Sequence, residues 1–411
     1  MQSVLSSLPA LPVGNVGGIG TQSFTAAIAQ PCQLHYGNQF PSILCIPRHG
    51  SVLPEGFERP VSSTPGHADT YGSTVVPDDE SFQFVEQASF LIWDLEQAVG
   101  ILGPNPSVEN IFEVPNIPHE APVYEPDLNI ILFCPLRLPP TLNIIDLNEN
   151  PPTLTSRTSD PPLFGPGAVY HEGLLYYCGS STHSGNYVAG LYAFNVTSGK
   201  AWPVANNYFG YNFGTCDDLA VAPNGDIWFT DNWYTYTRPE MHENNTIQLE
   251  AAVYRFVPST GLVQLVTDEL DQPNGIAFSP DGKTVYLTDS GADTLTDDDR
   301  RLRYVSHRRR TVYAADVLPS GTGIVNRRAI FLSQDRVPDG VKVAHNGYVV
   351  VATGSGVDVL DPWGVHVLRV QTSFTVLNLV WAGKENTDLW VVGYERVARV
   401  QWALEGNHLA K

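Results

Sequence analysis

Basic residues are scarce in this chain of 411: 23 Lys and Arg stand against 43 Asp and Glu, a formal charge of −20. A surface of that sign repels phosphate backbones, which argues against nucleic acid as a partner. Long apolar runs are also missing. No stretch approaches the roughly 18 uninterrupted apolar residues of a membrane-spanning helix, so no membrane partner is expected. The five cysteines, Cys32, Cys45, Cys134, Cys178 and Cys216, show no CxxC and no zinc spacing. That indicates no disulfide framework, though it leaves room for one or two bridges. No Lys or Arg precedes Arg48, and Pro9 and Pro12 break the weak apolar start. This is a poor secretory signal, so a cytoplasmic protein is expected, or a secreted one whose signal has been removed. The sequons at Asn195 and Asn244 barely bear on that choice. Charged residues make up only 16% while hydrophobic residues reach 43%, which excludes disorder. With 35 Gly and 32 Pro, the composition suits short strands joined by turns better than long charged helices.

One pattern repeats from about residue 120: a short alternating strand, a Gly/Asn/Asp turn, then a strand rich in aromatic and β-branched residues. The copies are PVYEPDLNIILFC (122–134), AVYHEGLLYYC (168–178), LAVAPNGDIWFTD (219–231), IAFSPDGKTVYLTD (276–289), VKVAHNGYVVVAT (341–353) and LVWAGKENTDLWVVG (379–393). Asn224-Gly225, Asp281-Gly282 and Asn346-Gly347 are hairpin signals, because Gly accepts positive φ cheaply. Second strand pairs follow, as in GLYAFNVTSGKAWPV (190–204), AVYRFVPSTGLVQLV (252–266) and GVDVLDPWGVHVLRV (356–370). Four strands repeated six times predict an all-β, six-bladed β-propeller over 81–411, with an N-terminal extension over 1–80. SFLIWD (89–94) reads as a strand and ERVARVQW (395–402) as the last one, so the chain ends are expected to meet in one blade.

In a propeller, residues just before each innermost strand converge on the axis. Those positions hold Glu120, Pro166, Asp217, Asn274, Asp339 and Leu377, with Asn378 beside the last. Asp and Asn also form turns before strands. Three carboxylates and a carboxamide at equivalent positions nevertheless point to a hard divalent cation, because bare carboxylates on one axis repel. The absence of His and Cys there argues against zinc. Loops between second and third strands should rise on the same face. NWYTYTRPEMHENN (232–245) carries Trp233, Tyr234 and Tyr236, which either wall a pocket for an apolar ligand or pack the loops together. The Arg308–Arg310 run reads as a solvated charge cluster, and His183 and His307 as exposed loop residues within reach of the pocket.

At these motifs the sequence resembles the senescence-marker-protein/gluconolactonase family, and in particular its fungal lactonohydrolase branch. The resemblance covers about residues 80–405. It rests on FLIWDLEQAVGILGPNPSVENIFEVPNIPHEA (90–121), HEAPVYEP (119–126), NNYFGYNF (206–213), CDDLAVAPNGDIWFTD (216–231), QPNGIAFSPDGKTVYLTDSG (272–291) and VPDGVKVAHNG (337–347). It implies a calcium ion, or another divalent cation, held by Glu120, Asn274 and Asp339. Two positions depart from the branch: Asp217-Asp218 replaces an Asn-Asp pair, and Gly165-Pro166-Gly167 replaces Asn-Gly-Gly.

The activity implied is calcium-dependent hydrolysis of a lactone, a small-molecule substrate. The metal polarises the carbonyl and its bound water attacks; Asp339 takes the proton, with Asp217 the second candidate. Asp218, Trp233, Tyr234, Tyr236, Asn378, Pro166 and Leu377 would face the substrate. A second reading is a non-hydrolytic cyclase of fungal secondary metabolism. Some fungal propellers resembling this one act as hetero-Diels–Alderases that join a quinone methide to a terpene alkene, a reaction that gains mainly from orientation. A third is a binding propeller without chemistry.

Overall fold

The computed structural model describes residues 32, 34–47, 53–59, 73–77, 79–136, 141–158, 165–179, 188–237, 246–295 and 302–407. Before the ring come β1 (Ile43–Cys45), β2 (Phe90–Ile92), a short helix α1 (Leu95–Leu102) and β3 (Ser107–Glu113). Blade one is β4 (His119–Glu125), β5 (Ile130–Pro135), β6 (Thr141–Asp146) and β7 (Thr153–Thr158). Blade two is β8 (Ala168–His171), β9 (Leu174–Gly179), β10 (Gly190–Asn195) and β11 (Lys200–Ala205). Blade three is β12 (Leu219–Val221), β13 (Ile227–Asp231), β14 (Ala252–Val257) and β15 (Leu262–Thr267). Blade four starts with β16 (Pro273–Phe278) and β17 (Thr284–Asp289). A small hairpin, β18 (Asp293–Leu295) and β19 (Leu302–Tyr304), intervenes before its outer strands β20 (Thr311–Val317) and β21 (Ile324–Leu332). Blade five is β22 (Pro338–Val343), β23 (Val349–Thr353), β24 (Gly356–Leu360) and β25 (His366–Gln371). Blade six is β26 (Val376–Ala382), β27 (Asp388–Gly393) and β28 (Arg396–Gln401), completed by β3.

The chain is thus a six-bladed β-propeller. Each blade is an antiparallel meander, and its inner strands are sandwiched between neighbouring blades. That position explains why β13, β23 and β27 read as nearly unbroken apolar runs while the outer β7 is mostly exposed and β11 half exposed. Trp228 and Phe229 of β13 are fully buried, and the Trp228 ring meets Phe278 of the next blade edge-on at 5.3 Å. The hairpin glycines adopt the left-handed conformation expected of them, with φ of 82° at Gly225, 67° at Gly282 and 91° at Gly347.

The two ends of the propeller meet in blade six, where β3 pairs antiparallel with β28 from Ser107 opposite Gln401 to Glu113 opposite Arg396. The strand expected over 89–94 exists as β2 but goes elsewhere. It pairs with β25 at the outer edge of blade five, and β1 joins it in parallel. Leu44, Ile46, Val76, Phe82, Val85 and Leu91 form a small core under this addition. Two disulfides are present, Cys32–Cys45 beside β1 and Cys178–Cys216 between blades two and three, while Cys134 is a buried free thiol. No helix among the described residues is long and apolar enough to cross a membrane.

Candidate active site

The innermost strands bring the axial residues together through a repeated irregularity. The register slips at Glu120–Val123 in blade one, Pro273–Ile276 in blade four, Pro338–Val341 in blade five and Val376–Asn378 in blade six. Bulges of this kind re-aim a side chain that regular pairing would point into the sheet. The same cavity is lined by Glu120, Pro166, Asp217, Asn274, Asp339 and Leu377, one residue from each blade. It encloses ≈ 750 Å³ of space between protein atoms, part of it open to solvent.

Threonines at the ends of second strands fix the backbone there. Thr230 Oγ1 accepts the Asp218 N–H at 2.9 Å and donates to the Asn274 carbonyl of the next blade at 2.6 Å. Thr288 repeats this, accepting the Gly275 N–H at 2.6 Å and donating to the Asp339 carbonyl at 2.7 Å. The adjoining carboxylates bind the incoming loops. Asp231 accepts the backbone N–H groups of Gly214, Thr215 and Cys216, and Asp289 those of Asp271, Gln272 and Gly291. The next residues complete each latch: Asn232 Nδ2 donates to the Pro273 carbonyl and the Asp217 carboxylate, and Ser290 Oγ to the Pro338 carbonyl. The local sequences FTDN and LTDS therefore carry one device in two blades.

The electrostatics at the axis are unfavourable as they stand. Burial pushes the Glu120 carboxyl well up, and Asp339 and Asp217 push it further. Burial likewise raises Asp339, with Asp217 adding to the effect and Arg336 opposing it. Glu120 Oε2 and Asn274 Oδ1 are buried without a hydrogen-bond partner. Among the described residues no three His, Cys, Asp or Glu side chains make a metal site by themselves, so the donor set at the axis includes the Asn274 amide. Unpaired, buried oxygens beside repelling carboxylates fit a hard divalent cation.

The remaining residues singled out from sequence fall into two groups. Asp218 and Asn378 lie beside the axial residues but off the cavity wall. Asp218 Oδ1 accepts the Leu219 N–H at 2.9 Å and Oδ2 pairs with Lys342 Nζ at 3.2 Å. Asn378 Oδ1 accepts the Leu379 N–H at 2.8 Å. Of the three aromatic residues in this loop Tyr234 reaches the cavity, beside Thr235 and Thr237, and its hydroxyl donates to the Ser290 carbonyl at 3.3 Å. Trp233 donates its indole N–H to Leu249 O and Tyr236 its hydroxyl to Thr246 O, both tying the loop to itself. His307 is exposed and off the cavity wall, and His183 lies outside the described residues. The arginine run braces loops: Arg309 pairs with Asp271 at 3.0 Å and Arg310 bonds the Tyr304 hydroxyl at 2.7 Å.

Other wall residues share no repeat phase, chiefly Asp293 at the start of β18 and the loop residues Arg336, Leu136, Thr215 and Tyr394. Composition and periodicity carry no signal for them. Backbone strain clusters nearby: Ala121, Cys216 and Arg336 hold φ of 55°, 50° and 52°, in the left-handed region that non-glycine residues avoid.

Fold and site together define a six-bladed propeller with an oxygen-rich pocket on its axis. The chain belongs to the SMP-30/gluconolactonase/LRE-like family, whose region matches residues 185–394. It is 44% identical over 385 residues to the lactonohydrolase oryL of Aspergillus oryzae, covering 90% of this chain and 88% of that protein. Its fold resembles a gluconolactonase from Xanthomonas campestris with a TM-score of 0.63 at 21% identity, over 76% of this chain and 93% of that one. It also resembles a calcium-binding protein, regucalcin, from Agrobacterium tumefaciens, with a TM-score of 0.57 at 15% identity, over 73% and 95% of the two chains.

Proposed function

We propose that this protein is a divalent-cation-dependent hydrolase of a small lactone. The observation that carries the reading is the set of unpaired oxygens on Glu120 and Asn274, facing one cavity with Asp217 and Asp339. Its likeness to a lactonohydrolase and to a gluconolactonase supports the choice of reaction. Glu120, Asn274 and Asp339 would hold Ca²⁺, which when bound supplies the positive charge that polarises a lactone carbonyl.

The chain's own residues do the rest. Asp339 accepts the proton of the attacking water. A carboxylate touching Ca²⁺ has lowered basicity, so Asp339 works mainly through position, with Thr288 pinning its backbone at the cavity. Asp217 is held by the Asn232 amide and is the alternative acceptor. Leu136, Pro166, Val337 and Leu377 exclude water from the rest of the ring and orient it.

The test is hydrolysis of aldonate, pantoyl and aromatic lactones with Ca²⁺ and with EDTA. Turnover that disappears with EDTA and returns with Ca²⁺ is expected. Asp339→Asn should lower kcat by about 10²–10⁴-fold. Silence across the panel, with calcium tightly bound, would overturn hydrolysis and favour a cyclase working in the same pocket.

A further inference from the structure

We infer that Arg336 selects the substrate, and that the lactone this pocket takes carries a carboxylate. The inference rests on the hydrolase reading and deepens it. Arg336 sits in the loop between β21 and β22, three residues before Asp339. Among the described residues lining the cavity it is the single cation, facing Glu120, Asp217, Asp293 and Asp339. Its Nε and one terminal nitrogen both bond Asp293 Oδ2, at 3.0 and 2.9 Å. That contact fixes the guanidinium plane but occupies only one edge. The second terminal nitrogen takes no part in the Asp293 contact, Asp339 and Tyr394 also act on the charge, and the side chain is 27% exposed.

A guanidinium held on one edge offers its other N–H groups in a fixed fork, which matches a planar carboxylate two-pronged. The surroundings narrow the class further. A phosphate dianion would meet the four carboxylates of the wall, whereas a monoanion placed against Arg336 replaces a solvated contact with a directed one. Pro118, Leu136, Leu302, Val337 and Leu377 leave apolar space for the carbon skeleton. The left-handed backbone at Arg336, φ 52°, is a strained conformation that the loop maintains, which places the side chain over the cavity.

A purely structural role, bracing the β18–β19 hairpin through Asp293, is the rival account. The test compares γ-butyrolactone γ-carboxylate with its uncharged γ-carboxamide. In the wild type the acid should be preferred by about tenfold or more in kcat/KM, the difference lying in KM. Arg336→Gln should erase the preference by raising KM for the acid about tenfold more than for the carboxamide, and Arg336→Lys should restore part of it. Absence of the preference in the wild type overturns the inference. So does an equal loss on both substrates in Arg336→Gln, which is the structural outcome.

If the wild type hydrolyses neither lactone, calorimetric binding of pyroglutamate and pyroglutamamide, the unreactive lactam counterparts, decides. Tighter binding of the acid, lost in Arg336→Gln, keeps the inference and discards the hydrolase reading for these substrates. Equal binding of acid and amide discards the inference.

Discussion

The absence of a single methyl group, at Gly275, lets two blades approach closely at the axis. A Cβ on Gly275 would lie 2.5 Å from the Asp339 carbonyl oxygen and 2.6 Å from the Val341 nitrogen, both backbone atoms. Gly275→Ala should therefore displace the strand that carries Asp339 and cost about 1–3 kcal/mol in denaturant unfolding, with weaker calcium binding. The carboxylates of the site give a pH signature. Burial raises Glu120 and Asp339, and burial also pushes Asp231 up to about 6 despite three backbone N–H donors. Raised folded values mean that stabilisation is full below the ordinary carboxylate pKa of about 4 and is lost as pH climbs through the folded values. In EDTA, Tm should fall as pH rises from about 4 through about 6, and Ca²⁺ should oppose the fall by favouring the ionised forms. A flat or rising profile in EDTA would contradict the shifts. Glu120, Asp217, Asn274 and Asp339 were legible in the sequence because each occupies the same phase of a repeat. Asp293 and Arg336 were not, because an inserted hairpin and a loop reach the cavity by chain path and not by periodicity.

The second strands do more than fill blades. Thr230 and Thr288 each join their own axial strand to the next one through a single hydroxyl. Thr230→Val keeps the shape and strands the Asp218 N–H and the Asn274 carbonyl, so a loss of about 1–3 kcal/mol is expected in urea unfolding. The Cys178–Cys216 bridge closes a separation of 38 residues and ends beside Asp217. Replacing both cysteines by Ala should cost about 4 kcal/mol on the chain-entropy account, read as a lower denaturation midpoint. Spacing disclosed neither bridge, because each joins cysteines that the fold, not a motif, makes adjacent. Strands were legible from alternation and turn glycines. The helix α1 was not, since its eight residues lie in a lead-in without repeat phase. The aromatic loop was placed on the correct face, but Trp233 and Tyr236 donate to the Leu249 and Thr246 carbonyls, leaving Tyr234 the one ring of the three at the wall.

At the scale of the whole molecule, the ring is held shut by β3 against β28, and β1 and β2 extend only the rim of blade five. A chain starting at residue 80 should keep cooperative unfolding and its calcium affinity, with a lower Tm from the lost Leu44, Ile46 and Val76 packing. A chain starting at residue 114 should instead aggregate, as light scattering would detect, because β28 becomes an open edge. The closure also sets an order of events during synthesis. The first five blades can emerge from the ribosome and collapse in turn, yet the pocket takes a wall residue from every one of the six. Until the last blade is made and zipped onto a strand that emerged long before it, the nascent chain can pair its sheets but has nowhere to bind its ligand. The cavity wall is therefore complete only once blade six has formed, and a chain that stops short of β28 lacks it.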